Sequence, residues 1–120
     1  MSEFNAEFWR DIKEKYPKAY EKLAIFISFL KEIDTKDYYI EEIICYCDIE
    51  KFFREQCDLF TEFKFMYDPH VLRFDYIIIN MMNNKTVGKC DKEIVNYNEA
   101  KFEAVKKAFA ILNDQLENEK

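Results

Sequence analysis

The sequence predicts an α+β fold, with helices at both termini packed on a small antiparallel sheet that contains a β-hairpin. Three observations predict it. Apolar residues recur at helical spacing near the start of the chain, at Phe4, Phe8, Ile12 and Tyr16. They do so again near its end, at Phe102, Val105, Phe109, Leu112 and Leu116, which are spaced alternately three and four apart. Between these regions two stretches alternate with period two, 61–67 and 71–80, on either side of the turn-forming "DPH". The chain has 120 residues, which suits one domain spanning 1–120. Its 49% apolar and 18% aromatic content is enough for a real core and argues against intrinsic disorder.

The first helix has Trp9 beside its apolar stripe, and Ser2 or Asn5 can cap its start. Pro17 cannot continue a helix interior but fits the first position of a second helix. That helix carries Tyr20, Leu23, Phe26, Ile27, Leu30 and Ile33 on a broad apolar face and ends near Asp34. The stretch "DYYIEEIICYC", 37–47, reads either as strand or as helix; its β-branched and aromatic residues tip it toward extended structure. Asp48 is an N-cap candidate for a short helix, 49–57, that presents Ile49, Phe52, Phe53 and Gln56 together.

In the first strand, Phe63, Phe65 and Tyr67 share a face opposite Glu62, Lys64 and Met66. In the second, Leu72, Phe74, Tyr76 and Ile78 lie opposite Arg73 and Asp75, and Pro69 presets the turn between the strands. A short third strand is expected near 85–90, with Asn83–Asn84 and Gly88 as turn signals. Asn98 is the expected cap of the last helix.

The opening "EFWRDIKEKYPKAYEKL" and the closing "NEAKFEAVKKAFAILNDQLE" resemble small prophage and mobile-element proteins of gut bacteria. In that group a Phe-Trp segment leads into Lys-Tyr-Pro-Lys-Ala-aromatic, and an Asn/Thr-Glu-Ala segment opens a final helix rich in Ala and Phe. The resemblance covers the two ends, about a third of the chain. It implies no activity, cofactor or catalytic residue.

The net charge of −6 and the absence of a Lys/Arg cluster argue against direct nucleic-acid binding. The charged N-terminus lacks the apolar stretch of a signal peptide, and the longest nearly apolar run, 23–30, is far short of a membrane span. The expectation is therefore a cytoplasmic protein with reduced thiols. From Asp37 to Glu62, eight acidic residues stand against Lys51 and Arg54 alone, a local excess equal to the net charge of the whole chain. With Glu50–Arg54 and Lys51–Glu55 able to pair at helical spacing, the remaining charge falls on Glu41, Glu42, Asp48, Asp58 and Glu62. These five are the candidate contact residues for a basic protein partner. Against this stands the plainer reading of a solvated face over buried aromatics.

Three of the four cysteines lie close together, at 45, 47 and 57. Zinc sites pair their ligands as C-x2–4-C with a second such pair or a His pair, which this spacing does not match. The plainer reading makes the cysteines small buried hydrophobes, unreactive until the protein unfolds. A metal or catalytic site built from Cys45, Cys47, Cys57 and His70 or Cys90, with Asp68 or Asp75 orienting the imidazole, is the alternative. No cofactor motif occurs: there is no G-x-G-x-x-G, P-loop, H-E-x-x-H or G-x-S-x-G. The sequence thus favours a non-enzymatic, acidic interaction protein of prophage type, with a small enzyme or metal-binding domain as the alternative.

Overall fold

Asn5 starts the first helix, α1 (Ala6–Lys15), as expected; its Oδ1 accepts the Phe8 N–H at 2.8 Å. Tyr16 breaks the chain direction and Pro17 opens α2 (Pro17–Lys31) as its first residue. The helix ends at Glu32, in the left-handed conformation (φ 53°), whose N–H returns to the Ser28 carbonyl. These elements come from a computed structural model that describes residues 4–33, 43–68 and 71–119. The last residue of α2, Lys31, thus falls short of the expected end near Asp34; the expected Ser2 cap, the ambiguous residues 37–42 and the Pro69 turn lie outside the described residues.

Helix α3 (Tyr46–Gln56) begins three residues earlier than expected, so Tyr46 and Cys47 are helical rather than extended. Cys45, not Asp48, is its N-cap. Asp48 instead occupies the third helical position, where its carboxylate accepts the Cys45 N–H at 3.2 Å. It thereby fills the acidic half of a capping box, one turn inside the helix. Ile49, Phe52 and Phe53 are buried as expected, but Gln56 is exposed.

Strands β1 (Leu59–Asp68) and β2 (Val71–Asn80) form the expected antiparallel hairpin, in register from Leu59↔Asn80 to Asp68↔Val71. Strand β3 (Lys85–Lys89) follows and pairs with β2, giving the order β1-β2-β3 with one irregularity between Ile78 and Ile79. Asn84 makes the turn with φ 57°. Gly88 does not turn the chain. It sits within β3, where a Cβ would come within 3.0 Å of Ile111 Cδ1. Its lack of a side chain lets the last helix approach the sheet.

That helix, α4 (Tyr97–Glu117), is capped by Asn96, whose Oδ1 accepts the Glu99 N–H at 3.2 Å; Asn98 is already inside the first turn. Val105, Phe109 and Leu112 are buried, while Phe102 and Leu116 pack on the core at its margin. Ala100, Ala104 and Ala108 are buried beside them and allow close packing.

The core is aromatic. Trp9 meets the rings of Phe4, Phe8, Tyr20 and Phe109, and Phe53 links Phe109 to Phe52 and so to Phe26 of α2. The buried Trp9 indole N–H has no hydrogen-bond partner among the described residues. Tyr76 and Ile78 bury the helix-facing side of the sheet. Phe60, Glu62 and Lys64 remain exposed on the other side.

One polar group ties the layers together. Asn113 of α4 is buried, and its Oδ1 accepts the N–H groups of Lys18 at 3.0 Å and Ala19 at 3.1 Å. Tyr16 gives α2 no side-chain cap, so this distant asparagine satisfies two of the helix's orphan donors. Its own amide donates to Glu117 Oε1 at 3.2 Å.

Two stability predictions follow from this packing. Asn113→Ala removes the acceptor of the buried Ala19 N–H and the part-buried Lys18 N–H and should cost about 1–3 kcal/mol in a denaturant titration. Phe109→Ala empties the centre of the ring cluster and should cost roughly 3–5 kcal/mol; a loss under about 1 kcal/mol would contradict this packing.

Candidate functional site

Of the five candidate contact carboxylates, the structure describes Asp48, Asp58 and Glu62, and these three differ in exposure. Glu41 and Glu42 lie outside the described residues. Asp48 is buried: besides the Cys45 N–H it pairs with Lys31 Nζ at 3.3 Å, tying the start of α3 to the end of α2. Asp58 occupies the turn from α3 into β1 with φ 55° and is half-buried. Of the three described, only Glu62, on the open side of β1, is exposed. On α3 the expected pairs do form, Glu50 with Arg54 and Lys51 with Glu55 at 3.9 Å. Among the described residues of this segment, three of the five acids, Asp48, Glu50 and Glu55, are paired locally.

Helix geometry also separates the cysteines. Cys45 caps one end of α3 and Cys57 the other. Twelve residues at 1.5 Å each put them about 18 Å apart, far beyond the span of two thiolates on one metal. Cys47 is exposed on the first turn, whereas Cys45, Cys57 and Cys90 are half-buried. All four are free thiols. The Cys90 thiol donates to the Lys92 carbonyl at 3.0 Å. Among the described residues no group of three His, Cys, Asp or Glu side chains could hold a metal ion. His70, the proposed catalytic base, lies outside the described residues.

Cys57 is chemically quiet for a definite reason. Burial pushes its pKa up to about 11; Asp58 adds to the rise and Lys22 opposes it. At neutral pH the thiolate, which is the nucleophile, is scarce. Tyr76 likewise titrates above its ordinary range because it is buried.

Near β3 and α4, short polar contacts organise the loop after Cys90. Lys107 Nζ bonds the Lys89 carbonyl at 2.8 Å and Asp91 at 3.2 Å, and Lys92 pairs with Glu103 at 3.0 Å. The Lys107 hydrogen bond holds the Asp91 carboxyl below its usual pKa, and Glu103 raises that of Lys92. These are exposed pairs that fix a loop, and each contributes little to stability.

The surface feature that sequence reasoning missed is apolar. A groove of about 530 Å³ runs between α2 and α3. Phe26 and Phe52 form its floor, and Ile25 and Phe29 line it while remaining 53% and 79% exposed. Lys22, Lys51 and Glu55 border it. Ile25 and Phe29 are four residues apart on α2 and two residues from Leu23 and Ile27, about 200° round the helix from that buried stripe. The signal was present in "LAIFISFL", which has more apolar residues than one buried face needs.

No family model, curated protein or solved structure matches the chain. Among the described residues no helix is long and apolar enough to cross a membrane.

The positions of the thiols give a prediction that corrects the expectation of four sheltered cysteines. With a thiol reagent and peptide mass mapping, Cys47 should react first in the native protein, and Cys57 only slowly until unfolding. Cys47→Ser should remove the fast phase.

Proposed function

We propose that this protein is a non-enzymatic interaction protein of prophage type that acts by binding another protein, and that the α2–α3 groove is its contact surface. The observation that carries this reading is the exposure of Phe29 beside Ile25, at the edge of a groove whose floor is already aromatic. A large aromatic side chain left in water contributes nothing to this chain's own core. Grouped with a second apolar residue beside a groove, it is the usual mark of a contact site.

The shape suits an amphipathic helix laid between two helices, its apolar face on Ile25, Phe26 and Phe29. The border, with Lys51 beside Glu55 and Lys22 further along, is mixed in sign. Apolar contact would therefore provide most of the affinity. The net charge of −6 favours approach by a basic partner, an effect that salt screens. The field of the whole molecule supports the basic-partner reading without requiring a discrete acidic patch.

The test uses Phe29→Glu. Because Phe29 is 79% exposed, the substitution should change folding stability by less than about 0.5 kcal/mol. A partner captured by the parent protein under cross-linking should be lost with this variant and retained with Gln115→Glu, a control at an exposed site on α4. Equal recovery by Phe29→Glu would sink the reading.

A further inference from the structure

Among the described residues, strand β1 is an edge strand that pairs with β2 alone. The direction of its main-chain groups follows from the bonds around it. The Tyr76 carbonyl accepts the Cys90 N–H at 2.9 Å, and the Phe74 N–H donates to the Ile94 carbonyl at 2.8 Å. The even-numbered residues of β2 therefore turn their main-chain groups away from β1, and the odd-numbered ones, Asp75, Ile77 and Ile79, turn theirs toward it. Those three face Lys64, Glu62 and Phe60. The Met81 N–H bond to the Asp58 carbonyl, 2.8 Å, continues the same parity. Thr61, Phe63 and Phe65 must then direct their N–H and C=O groups to the open edge, and among the described residues no hydrogen bond reaches them.

Edges of this length are commonly blunted by proline, by a bulge or by brevity. β1 is ten residues long and contains no proline, and the one irregularity of the sheet lies between β2 and β3. Its exposed side chains are instead Phe60, Glu62, Lys64 and Phe65, the last 59% exposed. Glu62 and Lys64 flank Phe63 symmetrically with opposite charges.

We infer that β1 pairs antiparallel with β1 of a second copy of this chain, with Phe63 on the two-fold axis, making one six-stranded sheet. In this register Phe63 faces Phe63, and Thr61 faces Phe65 of the second copy. The unsatisfied main-chain groups of these residues meet each other. Glu62 of each chain then faces Lys64 of the other in the non-hydrogen-bonded positions, where side chains lie closest, about 4.5 Å between Cα atoms. Exposed Phe65 gains a neighbour in Thr61 of the second copy.

The charges select this register. Slipping one copy by two residues sets Glu62 against Glu62 or Lys64 against Lys64. Slipping by one residue sets open main-chain groups against occupied ones and puts the side chains on the wrong faces.

Sedimentation equilibrium over a range of concentrations tests the inference with three proteins. The parent should dimerise. Lys64→Glu should raise the dimer dissociation constant about tenfold or more, because both cross-chain attractions become repulsions. Glu62→Lys/Lys64→Glu should return it close to the parent value. Lys64 also faces Asp75 within one chain, so Lys64→Glu adds a like-charge neighbour there. The double variant carries that same intrachain change, which isolates the effect between chains, and circular dichroism confirms that each variant is folded. A parent that stays monomeric, a Lys64→Glu dimer as tight as the parent, or a double variant that remains weak would each overturn the inference. So would dissociation by Phe29→Glu, which would place the second copy in the α2–α3 groove instead.

Discussion

One side chain, Asn113 of α4, fixes how two helices align by capping the start of α2. α2 starts at Pro17 directly after α1, with Tyr16 between them, and no local side chain accepts its first free N–H groups. Asn113, ninety-five residues from Lys18 in sequence, supplies that acceptor from near the C-terminal end of α4. A buried amide of this kind specifies position in a way that apolar contact does not. Rings of similar size can slide past one another at modest cost, but an asparagine oxygen that misses its donors leaves several buried groups unpaired. The rest of the core conforms to this alignment. With α2 and α4 locked, Trp9 and Phe109 come into contact, and Phe53 can reach Phe109 from α3.

Much of this architecture was legible in the sequence because its signals are local. Asn5, Pro17 and the alternation in 71–80 act on their immediate neighbours, and each does what its chemistry predicts. The errors arose where several residues of one type compete or where the deciding contact is distant. Asn96 and Asn98 are equally good caps by composition; the helix begins after the first of them. Asp48 reads as a cap, yet an acid at the third helical position also satisfies a helix start, and the sequence alone does not separate the two roles. Gly88 reads as a turn because glycine commonly makes turns. Its reason for being glycine is the side chain of Ile111, twenty-three residues on, and no local pattern announces that. Asn113 sits in the polar-looking tail of the last helix and gave no sign of burial.

The candidate site was less legible for a related reason. A count of acidic residues measures charge along the chain, whereas a binding face requires charge gathered in space and left unpaired. α3 consumes Glu50 and Glu55 in pairs one turn apart, and Asp48 is drawn inward to Lys31. The cysteines fail as a cluster on the same grounds, since a helix holds Cys45 and Cys57 at its opposite ends. Closeness in sequence translates into closeness in space only within about one turn.

What folding leaves unused is then the better guide to function. Burial of Leu23 and Ile27 secures α2, so nothing in the core requires apolar residues at Ile25 and Phe29. Pairing with β2 satisfies only the even-numbered residues of β1, so the hairpin by itself leaves the other edge open. An open edge ordinarily invites any extended chain, and charges on it are the usual means of discouraging indiscriminate pairing. Two charges of opposite sign, placed two residues apart about one aromatic, do something narrower. They penalise an uncharged partner strand, which leaves both unmatched, and they penalise misaligned copies by setting like against like. The same Glu-Phe-Lys triplet that discourages indiscriminate pairing is therefore complementary to its own sequence run in the opposite direction.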